Sequence, residues 1–163
     1  MGVDLAGALA RVAAFDKLNE QQLADLSALG SAETHAAGAV LFEQNDTSSD
    51  LYVILYGSVS ILVTPGLAPP TGDVAPTEIA VLRAGQLVGE VALVDEGLRT
   101  ATARVREDGT RLVRFARQAL LALSDAQPLL GYQLMSQLAA DLALKLRSSD
   151  LLLRQLQASV GDT

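Results

Sequence analysis

The feature that most constrains this chain is a change of hydrophobic period at about residue 31. From there to about residue 115, short β-forming runs are separated by Gly, Asn, Asp and Pro: "AVLFEQ", "LYVILYGSVSILV", "EIAVLRAGQLVG", "TATARVRE" and "TRLVRFA". Their spacing predicts an antiparallel sandwich or barrel. "TPGLAPPTGDVAPTE", residues 64–78, reads as a surface hairpin loop between two strands.

Helical spacing flanks this region on both sides. Leu5, Leu9 and Val12, then Leu18, Leu23, Leu26 and Leu29, recur at helical intervals. Asn19 is the expected N-cap of the second group, with Gln22 completing a capping box, so two short helices are predicted. Beyond the strands, "ARQALLALSDAQ" predicts a short helix, and Pro128 suits the first turn of a longer one. That last helix runs from 128 to 157 without a further proline, about 45 Å if unbroken. The chain thus divides into a helical segment, 1–30, a β-structured body, 31–125, and a long terminal helix, 126–163.

On the long helix Met135, Leu138, Leu142, Ser149, Leu152 and Leu156 share one seam, which Leu134, Leu146 and Leu153 widen. Leucine covers more circumference than one neighbouring surface can bury. A homodimer through residues 128–157 is therefore expected. Lys145 interrupts the seam, and a polar residue there either sets register or is simply exposed, or else reaches toward something bound.

Composition excludes several function classes. The absence of cysteine removes disulfides, thiol catalysis and thiolate metal sites. The single histidine, His35, builds neither a histidine metal cluster nor a conventional triad, and is expected exposed at a strand edge. No enzyme, no metal and no cofactor are expected. A net charge of −7 argues against nucleic acid as a partner. Six of the twelve cations, all arginine, fall between Arg99 and Arg117 and read as a solvated strand face, Arg99 apart. "MGVDLAGALARVAAF" is an amphipathic helix rather than a signal peptide or a membrane span, and Ala6 breaks the myristoylation pattern. A cytoplasmic protein without membrane attachment is the expectation.

The chemistry concentrates in "QLVGEVALVDEGLRTATARV", residues 86–105, where Glu90 and Arg99 sit in an apolar stretch. An unpaired buried charge costs on the order of several kcal/mol, so each needs a partner. One solution is a mutual salt bridge holding a strand-turn-strand corner. The other is a ligand that bridges them. A small cyclic phosphodiester would suit: arginine's planar fork meets its phosphate, and a carboxylate accepts its ribose 2′-hydroxyl. Gly89 would allow close backbone approach, and "VALVD" could form a short turn whose N–H groups face the phosphate. Spacing alone leaves both solutions open.

The stretch "VGEVALVDEGLRTATARV" resembles the phosphate-binding cassette of cyclic nucleotide-binding domains, whose pattern is roughly F-G-E-x-A-L, a few residues, then P-R-[ST]-A. Gly89, Glu90, Ala92, Leu93, Arg99, Thr100 and Ala101 match, with Val91 at the free position; Val88 and Leu98 replace the usual Phe and Pro. The nine-residue step from Glu90 to Arg99 looks like that of the regulatory subunits of cyclic-AMP-dependent protein kinase. Gly38, Leu41, Asp46, Leu51, Tyr52 and Gly57 also stand in register, and Asn45 replaces a more usual glycine, which its tolerance of positive φ allows. The likeness runs from about residue 12 to about residue 150.

The resemblance implies an α+β, mainly β fold: an antiparallel β-roll or jelly roll with N-terminal helices and a long C-terminal helix. It implies that Glu90 takes the ribose 2′-hydroxyl and Arg99 the cyclic phosphate. Thr100 and the backbone N–H groups near Ala92 and Leu93 complete the oxyanion contacts, and Thr100 could also meet the base. Aligning "LAADLALKLRSSD" with the dimerisation helix of the catabolite activator family puts Lys145 near the base, and a shift of one turn brings in Ser149. The chain ends at Thr163, where the transcription factors of the family continue into a helix-turn-helix. The expected function is a stand-alone cyclic nucleotide receptor, for cyclic AMP or cyclic GMP, that switches contact with an effector protein through its last helix. The alternative is a degenerate fold acting as a nucleotide-independent scaffold or oligomerisation module.

Overall fold

A computed structural model describes residues 4–66 and 74–161. Its plan is set by Gly57, which cuts the longest apolar run in two. Gly57 has φ of +87°, a left-handed conformation open to glycine at little steric cost, and a Cβ there would collide with the Thr110 side chain. The halves become β3 (Leu51–Tyr56) and β4 (Ser58–Val63), which enter different sheets. The other strands are β1 (Ser31–His35), β2 (Val40–Phe42), β5 (Thr77–Arg83), β6 (Leu87–Val88), β7 (Thr102–Val105) and β8 (Thr110–Phe115). They form two four-stranded antiparallel sheets, ordered β1-β8-β3-β6 and β2-β7-β4-β5. The expected mainly-β jelly roll is what the chain adopts. β4 and β5 pair as a hairpin, and residues 67–73 of the loop between them lie outside the described residues.

β3 reads as an unbroken apolar run because both its faces are covered. Tyr52 and Ile54 turn inward between the sheets, with Phe42, Val59, Val88, Ala103 and Leu112. Leu51 and Val53 face the opposite way, into a second core shared with the helices. Those helices are α1 (Leu5–Leu9), α2 (Glu20–Leu29), α4 (Arg117–Ala126) and α5 (Pro128–Gly161), with a 3₁₀ turn at Ala13–Phe15 and a short α3 (Glu90–Asp95) inside the roll. The Asn19 capping box forms: Asn19 Oδ1 accepts from the Gln22 N–H at 2.8 Å, and Gln22 Oε1 from the Asn19 N–H at 2.9 Å. The partition at 30/31 falls where α2 meets β1, and that at 125/126 falls at the last residue of α4.

α5 spans 34 residues, about 51 Å. Its leucine seam splits. Leu130, Leu134 and Leu138 are buried in the chain's own core, whereas Leu146, Leu151, Leu152, Leu153 and Leu156 are exposed. The expectation of one continuous seam is therefore corrected, because the first half already has an intramolecular partner. His35 sits on edge strand β1 half-buried rather than exposed, its ring 2.9 Å from the Glu33 carboxylate. Arg104, Arg106, Arg111 and Arg114 are solvent-exposed, but they do not form the single strand face expected: Arg104 lies on β7 of one sheet, Arg111 and Arg114 on β8 of the other, and Arg106 just past the end of β7. Arg117 is not exposed: its Nε donates to the Leu93 carbonyl at 3.0 Å, and it pairs with Glu96 at 2.6 Å. Among the described residues no helix is long and apolar enough to cross a membrane. Nor does any group of three His, Asp or Glu side chains among them lie placed to hold a metal ion.

Candidate ligand-binding site

Gly89 follows β6 directly, and its φ of +86° turns the chain into α3, where Glu90 is buried. A Cβ on Gly89 would overlap Arg99 Nη1 and lie 3.0 Å from the Asp50 carbonyl oxygen, so glycine is required by close approach as well as by φ. Beside this turn lies a cavity of about 440 Å³ between the roll and α5. Gly89, Glu90, Val91, Ala92, Arg99, Thr100 and Ala101 line it from the roll. Lys145 and Ser149 line it from the helix. Leu93 does not: its side chain is buried in the helical core.

Arg99 is only 3% exposed, yet among the described residues no carboxylate lies within ion-pair distance of it. Its Nε donates to Ser48 Oγ at 3.1 Å, Nη1 to the Gly89 carbonyl at 3.1 Å and Nη2 to the Asp50 carbonyl at 2.7 Å. The guanidinium carbon stands 3.8 Å over the Phe42 ring. Main-chain bonds hold the same residue, Asn45 N–H to its carbonyl at 2.8 Å and its own N–H to the Asp46 carbonyl at 2.9 Å. Asn45 takes a φ of +71°, the conformation a glycine would supply. Burial pulls the Arg99 pKa down, opposed by Tyr52 and the nearby carboxylates, and the group stays cationic. A guanidinium has five N–H groups, so its neutral partners leave one on each terminal nitrogen for an anion.

Glu90, 4% exposed, is handled differently. Its nearly buried carboxylate pairs not with Arg99 but with the Lys145 ammonium of α5. Asp141 Oδ2 lies 3.0 Å from the same ammonium and the Leu87 carbonyl 3.4 Å from it. Burial pushes the Glu90 carboxyl above its ordinary value, and Lys145 offsets that only in part. Burial pulls Lys145 down, and the adjoining Glu90 and Asp141 carboxylates more than restore it. Lys145 is thus half-buried rather than simply exposed, and it reaches toward the roll. It crosses the cavity.

The mutual Glu90–Arg99 salt bridge foreseen as one solution is not formed. Phe42, Ser48, Asp50 and Asp141 are site residues that sequence reasoning missed. The signal for Asp141 was its position four residues before a lysine already marked as out of place. The hydroxyls of Ser149 and Ser148 donate back to the helix carbonyls of Lys145 and Leu144 at 3.1 and 3.0 Å. Apolar side chains of Ile79, Leu82, Leu144 and Leu152 line the cavity between β5 and α5.

A sequence model of the family described as "Cyclic nucleotide-binding domain" matches residues 32–127. The chain is 38% identical over 114 residues to the cyclic AMP receptor protein of Thermus thermophilus, covering 70% of this chain and 48% of that one. It superposes on the crystal structure of the Thermus thermophilus catabolite activator protein with a TM-score of 0.71 at 32% identity, covering 88% of this chain and 62% of that one. A cyclic nucleotide-binding domain from Methylobacillus flagellatus shares the fold at a TM-score of 0.76 and 22% identity, covering 93% of this chain and 82% of that one. The chain spans about half the length of the Thermus receptor.

Proposed function

The chain belongs to the cyclic nucleotide-binding domain family, and on that footing we propose that it is a receptor for a purine cyclic mononucleotide, cyclic AMP or cyclic GMP. The observation that carries this reading is the buried guanidinium of Arg99, which lines the cavity and is held by neutral acceptors and aromatic stacking that leave two of its N–H groups unused. A buried cation without a counter-charge is costly unless an anion visits it. The cavity, about 440 Å³, lies in the range that encloses a nucleotide-sized ligand.

In this reading Arg99 takes the cyclic phosphate, helped by Thr100 and the N–H groups near Ala92 and Leu93. Glu90 takes the ribose 2′-hydroxyl. Gly89, Val91 and Ala101 shape the cradle, and the base lies against the apolar wall that faces α5, near Ser149. Binding then biases the position of α5 by as much as the ligand's affinity differs between helix arrangements, and so alters a protein contact. A net charge of −7 favours a protein over nucleic acid as the contact. The leucines exposed beyond residue 144 support a homodimer through residues 128–157. Sedimentation at several concentrations checks it: a mass that stays at 17.0 kDa throughout removes the dimer. No catalytic step is assigned to the site.

Calorimetry with both purine cyclic monophosphates, on wild type beside Arg99→Ala and Arg99→Lys, tests the receptor. Binding to wild type, lost in Arg99→Ala and weakened in Arg99→Lys with the fold intact by circular dichroism, is the expected result. Equal affinity in wild type and Arg99→Ala, or no binding to wild type, overturns it. One observation favours the second reading, a nucleotide-independent scaffold: Glu90 already has an internal counter-charge in Lys145. Under that reading neither nucleotide raises the melting temperature, whereas a ligand at a hundred times its Kd would add about 2.7 kcal/mol.

A further inference from the structure

Lys145 is the only cation that α5 sends into the cavity among the described residues, and three oxygens surround its ammonium: Glu90 Oε1, Asp141 Oδ2 at 3.0 Å and the Leu87 carbonyl at 3.4 Å. Two of its three N–H groups are taken by hydrogen bonds, to Glu90 and to the Leu87 carbonyl, while Asp141 Oδ2 faces the ammonium as an ion pair without hydrogen-bond geometry. It is pinned from three elements at once, by α3 through Glu90, by β6 through Leu87 and by its own helix through Asp141. The partner it holds in the cavity wall is the buried Glu90 carboxylate, so its placement bears on a ligand through Glu90 first.

On the footing of the receptor reading, we infer that Lys145 is a positioning residue for ribose recognition: it holds Glu90 charged and aimed, so that ligands with a 2′-hydroxyl are selected over ligands without one. The pairing does not block the site. Lys145 takes one carboxylate oxygen, and a carboxylate has a second oxygen and about four lone-pair positions in all. The charge is what matters. Three charged groups face Glu90: Lys145 and Asp141 from α5, and Arg99 across the cavity. Without Lys145, burial and Asp141 both favour the neutral acid. A neutral carboxyl accepts a hydroxyl's hydrogen bond about half as strongly as a carboxylate does.

The lysine sits on α5 and the carboxylate on the roll. Ribose recognition and helix position therefore share one bond, and each affects the other by the same factor. A ligand lacking the 2′-hydroxyl would still fill the phosphate corner but would draw less on the helix-borne charge.

The test measures the affinities of 3′,5′-cyclic AMP, 3′,5′-cyclic GMP and their 2′-deoxy counterparts by calorimetry. The full-length protein is compared with Lys145→Met and Lys145→Arg, with Lys145→Gln in reserve if the Met variant does not fold. Wild type is expected to prefer the 2′-hydroxyl ligand by about tenfold. That preference should shrink to about twofold or less in Lys145→Met, recover in part as pH rises and Glu90 ionises, and return in Lys145→Arg. A preference unchanged in Lys145→Met overturns the inference, as does an equal gain in affinity for both ligands, which would make Lys145 merely a lock on the helix. Absence of any binding to wild type is a different result: it overturns the receptor reading itself, and this one with it.

Discussion

Arg99 and Glu90 are buried to almost the same degree, at 3% and 4% exposure, in the same cavity, and the protein stabilises them in opposite ways. The Arg99 corner is built by the roll alone: the β2–β3 connection supplies Ser48 and Asp50, β2 supplies Phe42, and the turn at Gly89 supplies a carbonyl. The Glu90 corner is finished by α5, which brings Lys145 and Asp141. One corner is a buried cation with neutral partners. The other is an ion pair that joins the roll to α5. Under the proposed receptor reading the difference separates affinity, held in the roll, from response, held where the helix meets it.

The strongest way to break this comparison is at Arg99. Arg99→Ala is expected to reduce cyclic nucleotide affinity by about a hundredfold or more, the scale of roughly 3 kcal/mol for a charged contact, read by calorimetry. Next come the two glycines that bound β6. Gly85 and Gly89 have φ of +88° and +86°, but a Cβ on Gly85 meets nothing within 4 Å, whereas one on Gly89 overlaps Arg99. Gly85→Ala should cost about 1 kcal/mol of backbone strain. Gly89→Ala should cost that plus about 1–3 kcal/mol for displacing the guanidinium, both measured by urea denaturation. Equal costs would show that Arg99 is not held as described.

The smallest effect sharpens the other corner. Lys145 titrates above its ordinary 10.5 in the fold, so its share of stability is present below that value and is lost as pH rises through the folded one. The melting-temperature gap between wild type and Lys145→Met should therefore hold from about pH 7 to about pH 9 and narrow above about pH 10.5. A gap that does not change with pH would mean that the aliphatic stem, and not the ammonium, makes the contact.

Local devices were legible in the residues. The Asn19–Gln22 capping box is a contact across three positions, and Asn45 at positive φ needs only its own backbone. A sandwich or barrel followed from the short, punctuated strands, whereas the jelly roll and the grouping of Arg99, Glu90 and Gly89 at one cavity followed from the family resemblance carried by a compact motif. Other parts of the site were not legible. Ser48 and Asp50 act on Arg99 from about fifty positions away, and Asp50 does so through its carbonyl, which no side-chain pattern reveals. Lys145 looked like a flaw in an apolar seam, because helical spacing reports which residues share a face and not what that face meets.

The sequence by itself determined the periods of the strands and helices and the chemistry of a carboxylate and a guanidinium nine residues apart. Those depend on torsional preference and residue type, which each position carries with it. Only the tertiary structure decided that Glu90 and Arg99 would not clasp each other, and that Lys145, fifty-five positions beyond Glu90, would take the carboxylate instead. The reason is physical. Counter-charges are chosen by distance in a desolvated space, and that distance exists only after α5 has packed Leu130, Leu134 and Leu138 against the roll.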